Sequence, residues 1–291
     1  MSANLIRNLF ASDIERQIEE IIKVDQTDEQ LIRDEIAEYV VTESLGRYYV
    51  DILERYRETP NKPHEGIAVW VSGFFGSGKS SFAKMLGLAI ENRQVMGAPA
   101  GELFGQRTRN TTAQVRRKTI AEQILPHPVR FDVSTDRGIR SGNLTLSQIL
   151  YTLFLHSLGY ARDLDLSELE IHLEADGRLA EFTDAYARLY PSKKGWNVEK
   201  SKTAFALAEA SRVMHDLDPV TYPAADSWVR AAKDKTDITP NKLAERCGEL
   251  MRRQKPNHSL LFVVDEVGQF VARDVQKMLD LQAVVQALGV K

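Results

Sequence analysis

Eight residues, Gly73, Phe74, Phe75, Gly76, Ser77, Gly78, Lys79 and Ser80, constrain this chain more than any other stretch, because they fit G-x-x-x-x-G-K-[ST] at every fixed position. Each fixed residue has a mechanical reason. The glycines let the backbone turn where other residues resist, so that successive N–H groups converge on phosphate oxygens. A helix starting near Lys79 adds its own unpaired N-terminal donors, and Ser81 falls in that same first turn. Lys79 is placed to bridge β- and γ-phosphate oxygens, and the Ser80 hydroxyl to coordinate Mg²⁺. The context agrees. Residues 67–71 form an apolar, strand-forming run before the loop, and residues 79–90 have helical character after it. The expected ligand is a nucleoside triphosphate, ATP, with Mg²⁺.

A second signal lies near the other end. Residues 260–264 read Leu-Leu-Phe-Val-Val and are followed by Asp265 and Glu266. A buried strand there delivers two acids to its C-terminal end, where ligands bind in open α/β sheets. Alone this is a weak signal, since apolar runs ending in two acids are common. Beside a phosphate loop it acquires meaning: Asp265 is expected to hold Mg²⁺ through its water shell, and Glu266 to polarise the attacking water. A cap for the following segment is the plainer reading of Glu266.

The rest of the chain reads mostly as helix. Ser12 with Glu15, and Thr27 with Gln30, make capping boxes ahead of helically spaced apolar residues, so residues 1–58 form a helical lead-in. Pro60 and Pro63 mark a break. Residues 97–101 read as a loop, residues 112–124 as a helix, residues 129–133 as a strand, and residues 144–158 as a helix capped by Thr145 and Gln148. From about 160 to 255 the helical pattern runs on without a convincing strand, restarting at Thr239 with Pro240 in the first helical position, so this is expected to be a helical insertion. A last helix is expected over residues 274–288. The loop, the two short strands and the acid-tipped run together make residues 67–291 one α/β core.

Charge and cysteine content limit the rest. The net charge of -3 gives no overall positive field to draw the chain onto DNA or an anionic membrane, so DNA contact is local or indirect. Cys247 is the only cysteine, which excludes an internal disulfide and fits a reducing, cytoplasmic setting. No apolar run reaches the roughly 18 residues of a membrane span. Two basic clusters, Arg107, Arg109, Arg116, Arg117 and Lys118, and Arg252, Arg253 and Lys255, read first as solvated helix faces or helix C-termini. Asp132, Asp136 and Arg137 follow the strand over residues 129–133, either near the nucleotide or simply in a turn.

Several stretches together resemble the P-loop proteins of bacterial BREX (bacteriophage exclusion) systems, the BrxC and PglY family. They are residues 21–26 (IIKVDQ), 38–42 (EYVVT), 66–84 (GIAVWVSGFFGSGKSSFAK) with Leu86 and Gly87, 131–140 (FDVSTDRGIR) and 262–270 (FVVDEVGQF). The resemblance implies an AAA-type ATPase of the ASCE class: a parallel sheet with helices on both faces, with the helical insertion before the Walker B strand. It also implies work alongside other BREX components, including a DNA methyltransferase, to block phage replication, with an oligomer as one option. Lys79 and Ser80 match the family's first nucleotide motif, and Asp265 and Glu266 its second. Members are much longer chains. This one ends about 25 residues after Glu266, so a sensor strand, a lid and an arginine finger are expected to lie outside it. Since such a finger raises rates by roughly 10³ to 10⁵, turnover is expected to be slow.

Two alternatives stay open from sequence. A P-loop kinase for a small molecule would share the loop, although no phosphoacceptor pocket or lid arginine is identifiable. A non-hydrolysing module, in which bound ATP orders a surface for partners, would need only the loop.

Overall fold

A computed structural model describes residues 22–58, 67–108, 111–133, 144–232, 237–272 and 274–290. The helix expected from Ser12, the break at Pro60 and Pro63, Arg109, Asp136 and Arg137 lie outside them. Helix α1 (Glu29–Glu38) starts on Asp28, whose carboxylate accepts the N–H groups of Gln30 and Leu31. Asp28 therefore caps the helix in place of Thr27, whose own N–H goes to Gln26. Helix α2 (Glu43–Glu58) follows, and both bury an apolar face on α3 (Lys79–Glu91), the helix that leaves the glycine loop. At that contact Ile32, Ile36 and Tyr49 meet Phe82, Met85 and Leu88, and the Tyr49 ring stacks on Phe82 with centroids 4.6 Å apart. Lys84 reaches from α3 into the same seam and is only 1% exposed; Glu35 of α1 pairs with it there.

After α3 the chain makes a small hairpin, β1 (Gln94–Val95) and β2 (Ala98–Pro99), around Met96 and Gly97. Both turn residues have positive φ, the twist that two-residue hairpins favour. Residues 97–101, read as a loop, are thus a turn, a strand and the start of α4 (Ala100–Arg107). Helix α5 (Thr111–Gln123) leads to β3 (Pro126–Asp132), which begins three residues ahead of the strand expected over residues 129–133. Helix α6 (Leu146–Ser157) opens with the capping box of Thr145 and Gln148. Five helices follow: α7 (Leu164–Ala175), α8 (Leu179–Leu189), α9 (Trp196–Glu199), α10 (Thr203–Leu217) and α11 (Ser227–Ala232). They surround a core of their own, with Phe182, Tyr186 and Trp196 in edge contacts. Then come α12 (Pro240–Gln254), β4 (Ser259–Asp265), α13 (Val267–Val271) and α14 (Val275–Gly289).

The expected P-loop NTPase fold of AAA type, a parallel sheet with helices on both faces, is not what the chain forms. Among the described residues there are two sheets of two strands each: the antiparallel hairpin and one parallel pair, β3 with β4. Helix dominates everything else. The missing piece is residues 67–71, which carry strand-forming side chains and yet form no strand. A strand in a parallel sheet needs a hydrogen-bonded neighbour and cover on both faces. Here Val69, Trp70 and Val71 remain 50%, 58% and 36% exposed, so neither condition is met. The far edge of β3 is closed to growth as well: Pro126 and Pro128 share one register parity, and neither has an N–H to offer a further strand.

The β3–β4 pair is nonetheless central. Leu260, Phe262 and Val264 alternate onto one side, where they pack with Val129 and Phe131 and with Leu150, Phe154, Cys247 and Leu250 of α6 and α12. Leu261 turns to the other side, toward Leu53, Ile90 and Ile120. That alternation lets one seven-residue strand serve two cores.

Candidate functional site

The glycine loop is held by its own backbone. Gly76 and Gly78 lie at φ +75° and +83°, a region L side chains rarely adopt. A Cβ on Gly73 would fall 2.6 Å from the Ser77 hydroxyl, which would have to turn aside, whereas the other two glycines are required by conformation. Ser77 N–H closes the turn onto the Phe74 carbonyl at 3.2 Å. Gly78 occupies the cap position of α3 and makes no side-chain cap; the first backbone bond to the cap carbonyl comes from Phe82 at 2.9 Å. The N–H groups of Lys79, Ser80 and Ser81 are therefore left without acceptors among the described residues. The Lys79 ammonium donates to the Phe74 carbonyl at 2.9 Å, folding back over its own loop. Phe74 and Phe75 point outward, 91% and 104% exposed.

The direction of α3 sets where the loop lies relative to the acid pair. Gly87, midway along the helix, comes against β4 and β3: a Cβ there would meet Val263 Cγ2 at 3.2 Å and Arg130 Nε at 3.3 Å. Glu91, at the helix end, pairs with Arg130 and lies close enough to His127, at the start of β3, to act on its charge. Helix and strands therefore run antiparallel. Lys79 precedes Gly87 by about 12 Å of helix, which puts the loop at the C-terminal end of the strand pair. Asp132 and Asp265 are register partners at that end.

Asp265 accepts the backbone N–H of Glu266 through Oδ1 at 2.9 Å. Glu266 sits at φ 58°, ψ 19° in the cap position of α13 and makes no side-chain cap bond. A non-glycine residue in this region carries of order 1–3 kcal/mol of backbone strain, and such strain concentrates at working sites. Its Oε2 accepts from the Gln269 amide at 2.7 Å, while Oε1 has no partner among the described residues. The capping role therefore belongs to the Glu266 backbone, while its carboxylate meets Gln269. Among the described residues no hydrogen bond or ion pair joins Asp265 or Glu266 to Lys79 or Ser80.

Three members of the basic clusters are engaged elsewhere. Arg107 donates to the Tyr39 carbonyl at 3.5 Å, Arg117 is buried against Asn92 at 3.2 Å, and Arg253 pairs with Glu174 at 2.8 Å. Cys247 is buried among apolar residues, which pushes its thiol well up and keeps it inert. No group of three or more His, Cys, Asp or Glu arranged to hold a metal occurs among the described residues. None of their helices is long and apolar enough to cross a membrane. Sequence reasoning missed the close packing at Gly87, Asp132 as a register partner of Asp265, and Gln269. A glycine in mid-helix was the one visible signal of close packing. No protein-family model matches the chain, and no solved structure matches it.

Proposed function

We propose that this chain binds ATP with Mg²⁺ at the loop of Gly73, Phe74, Phe75, Gly76, Ser77, Gly78, Lys79, Ser80 and Ser81, and hydrolyses it slowly. The observation that carries the reading is the open start of α3: three adjacent N–H groups without acceptors, behind glycines in left-handed conformation, with a lysine ammonium beside them. That arrangement fits the oxygens of a polyphosphate. Ser80 and Asp265 would hold Mg²⁺, which when bound neutralises charge on the transferring phosphate. Lys79 would leave the Phe74 carbonyl for the phosphate oxygens. Glu266, oriented by Gln269 and with one oxygen free, would accept the proton of the attacking water.

The resemblance to the BrxC and PglY proteins supports a setting for this chemistry: a nucleotide-responsive module in a bacterial anti-phage complex. Its partners would be other BREX components, a DNA methyltransferase among them, with DNA touched locally or through those partners. The non-hydrolysing module remains as a second reading, favoured by one observation: both acids make short-range bonds of their own, Asp265 to the Glu266 amide and Glu266 to Gln269.

Phosphate release from ATP and Mg²⁺ by the purified chain, with and without DNA, tests the catalytic part. Lys79→Ala should remove binding and release together. Glu266→Gln should keep binding and lose release. Equal release by both variants and the parent would refute the assignment, and tight binding with no release by the parent would select the second reading.

A further inference from the structure

The β3–β4 pair has one closed edge and one open edge. Ser259 N–H donates to the Leu125 carbonyl at 3.3 Å, and the Asp265 carbonyl accepts from Val133 at 3.2 Å. The odd-numbered residues of β4 therefore turn their backbone toward β3. In a parallel ladder only alternate residues bond to a given neighbour, so the N–H and C=O groups of Leu260, Phe262 and Val264 face away from it. No strand pairs with them among the described residues. On β3 the same reasoning places Pro126 and Pro128 at outward positions, with no N–H to give. A third strand can join only along β4.

The side chains of β4 suit the middle of a sheet. Exposed edges are ordinarily guarded by proline, charge or a bulge, and β3 with its two prolines follows that rule. β4 does not: residues 260–264 are a continuous apolar run, the pattern of a strand covered on both faces. Yet each of its seven residues is only partly buried. Cover for a further strand already stands on both sides. α3 lies over Val263 on one, and α14 joins the core of Leu260, Phe262 and Val264 on the other. Leu281 of that core also lines a groove of about 340 Å³, with Met278, Gln282, Val285 and Gln286 on α14 and Trp70 as the opposite wall. None of these lining residues is charged, and Trp70 and Met278 stay exposed along it, so an apolar occupant fits. Trp70 belongs to residues 67–71, which likewise have no strand partner among the described residues.

We propose that the free edge of β4 receives an extended apolar segment of a partner protein, which hydrogen-bonds to the backbone of Leu260, Phe262 and Val264 and sets side chains into the groove between Trp70 and α14. In strand addition of this kind the main-chain bonds supply affinity, and the groove selects the side chains. The unpaired edge specifies the extended form of the occupant, and the uncharged groove specifies its composition. Binding here needs no nucleotide.

The probe is the peptide acetyl-Lys-Val-Ile-Val-Ile-Val-Lys-amide, added to the full chain and followed by residue-resolved amide exchange. In the free chain the amides of Leu260, Phe262 and Val264 should exchange at least about 10-fold faster than those of Leu261 and Val263, and the peptide should slow those three at least about 10-fold. The same peptide N-methylated at its five central residues keeps the side chains but cannot pair, and should leave them unchanged. Leu260→Pro removes an outward N–H without touching the bonds to β3, and should weaken binding at least about 5-fold. Met278→Glu, at an exposed position of the groove, should weaken it to a similar degree and keeps the test standing if the proline variant does not fold, with circular dichroism checking both. Lys79→Ala should leave peptide binding unchanged, so a failed nucleotide reading would not touch this result. The proposal is overturned by slow exchange at the three amides in the free chain, by no slowing with the peptide, by equal slowing with its N-methylated form, or by undiminished binding in Met278→Glu. Slowing that grows with the concentration of the chain alone would overturn it too, by giving the edge to a second copy.

Discussion

Two five-residue runs, residues 67–71 and residues 260–264, are both wholly apolar and meet opposite fates. The second becomes β4 because β3 supplies a backbone partner on one edge and helices cover both sides. Among the described residues the first has no strand partner and little cover, and most of its side chains stay in contact with solvent. The difference teaches that strand propensity here is a statement about neighbours. Side chains of Val, Ile and Trp favour a pleated and half-buried surface, and without one the preference has nothing to act on.

The largest test places a charge in each run. Val263→Asp puts a carboxylate against Gly87 under α3, offset in part by the Arg130 guanidinium beside it, and should cost about 3 kcal/mol, read as a lower midpoint of urea unfolding. Next comes the loop that follows the first run. Lys79→Ala should weaken ATP binding at least about 100-fold by calorimetry, roughly 2.7 kcal/mol, with little effect on the midpoint of urea unfolding, because the lysine contacts only its own loop. A smaller effect concerns the start of β4, where Tyr56 pairs with Ser259. Burial raises the Tyr56 phenol from 10.0 to about 12 in the folded chain. A group raised on folding stabilises fully below its unfolded value and loses that contribution as pH climbs toward the folded one. Between pH 10 and 12 the parent should therefore lose up to about 2 kcal/mol more stability than Tyr56→Phe. Equal slopes in the two proteins would detach β4 from α2. The smallest effect is Val69→Asp, under about 0.5 kcal/mol, since that side chain is already half in water. A loss matching that of Val263→Asp would mean that the two runs are equally buried and that the contrast drawn between them is wrong.

Local signals carried much of the helical structure. The Thr145 and Gln148 box, Pro240 at the start of α12 and the start of α3 at Lys79 were readable because each depends on residues within one turn. Sheet formation was not, because it depends on residues far apart: Arg130 and Val263 are register partners across more than a hundred positions. The sequence pattern of residues 67–71 is as strand-like as that of β4, and only the absence of a pairing neighbour distinguishes them. For the candidate site, the loop glycines were legible because their conformation follows from having no Cβ. The strain at Glu266 was hidden, since nothing in Asp265-Glu266-Val267 announces a left-handed backbone. Gln269 was hidden for a related reason: its role exists only because α13 turns it back toward Glu266.

The bond that Lys79 makes within its own loop bears on ligand choice. With Lys79 donating to the Phe74 carbonyl, any anion entering the loop competes against a solvent-exposed bond worth about 0.5–1 kcal/mol. A ligand with one phosphate has few contacts with which to offset that loss, whereas a chain of three spreads along the free amides and reaches the lysine as well. The closed lysine thus sets a threshold, and selection among phosphate compounds becomes a matter of how many charged groups arrive together.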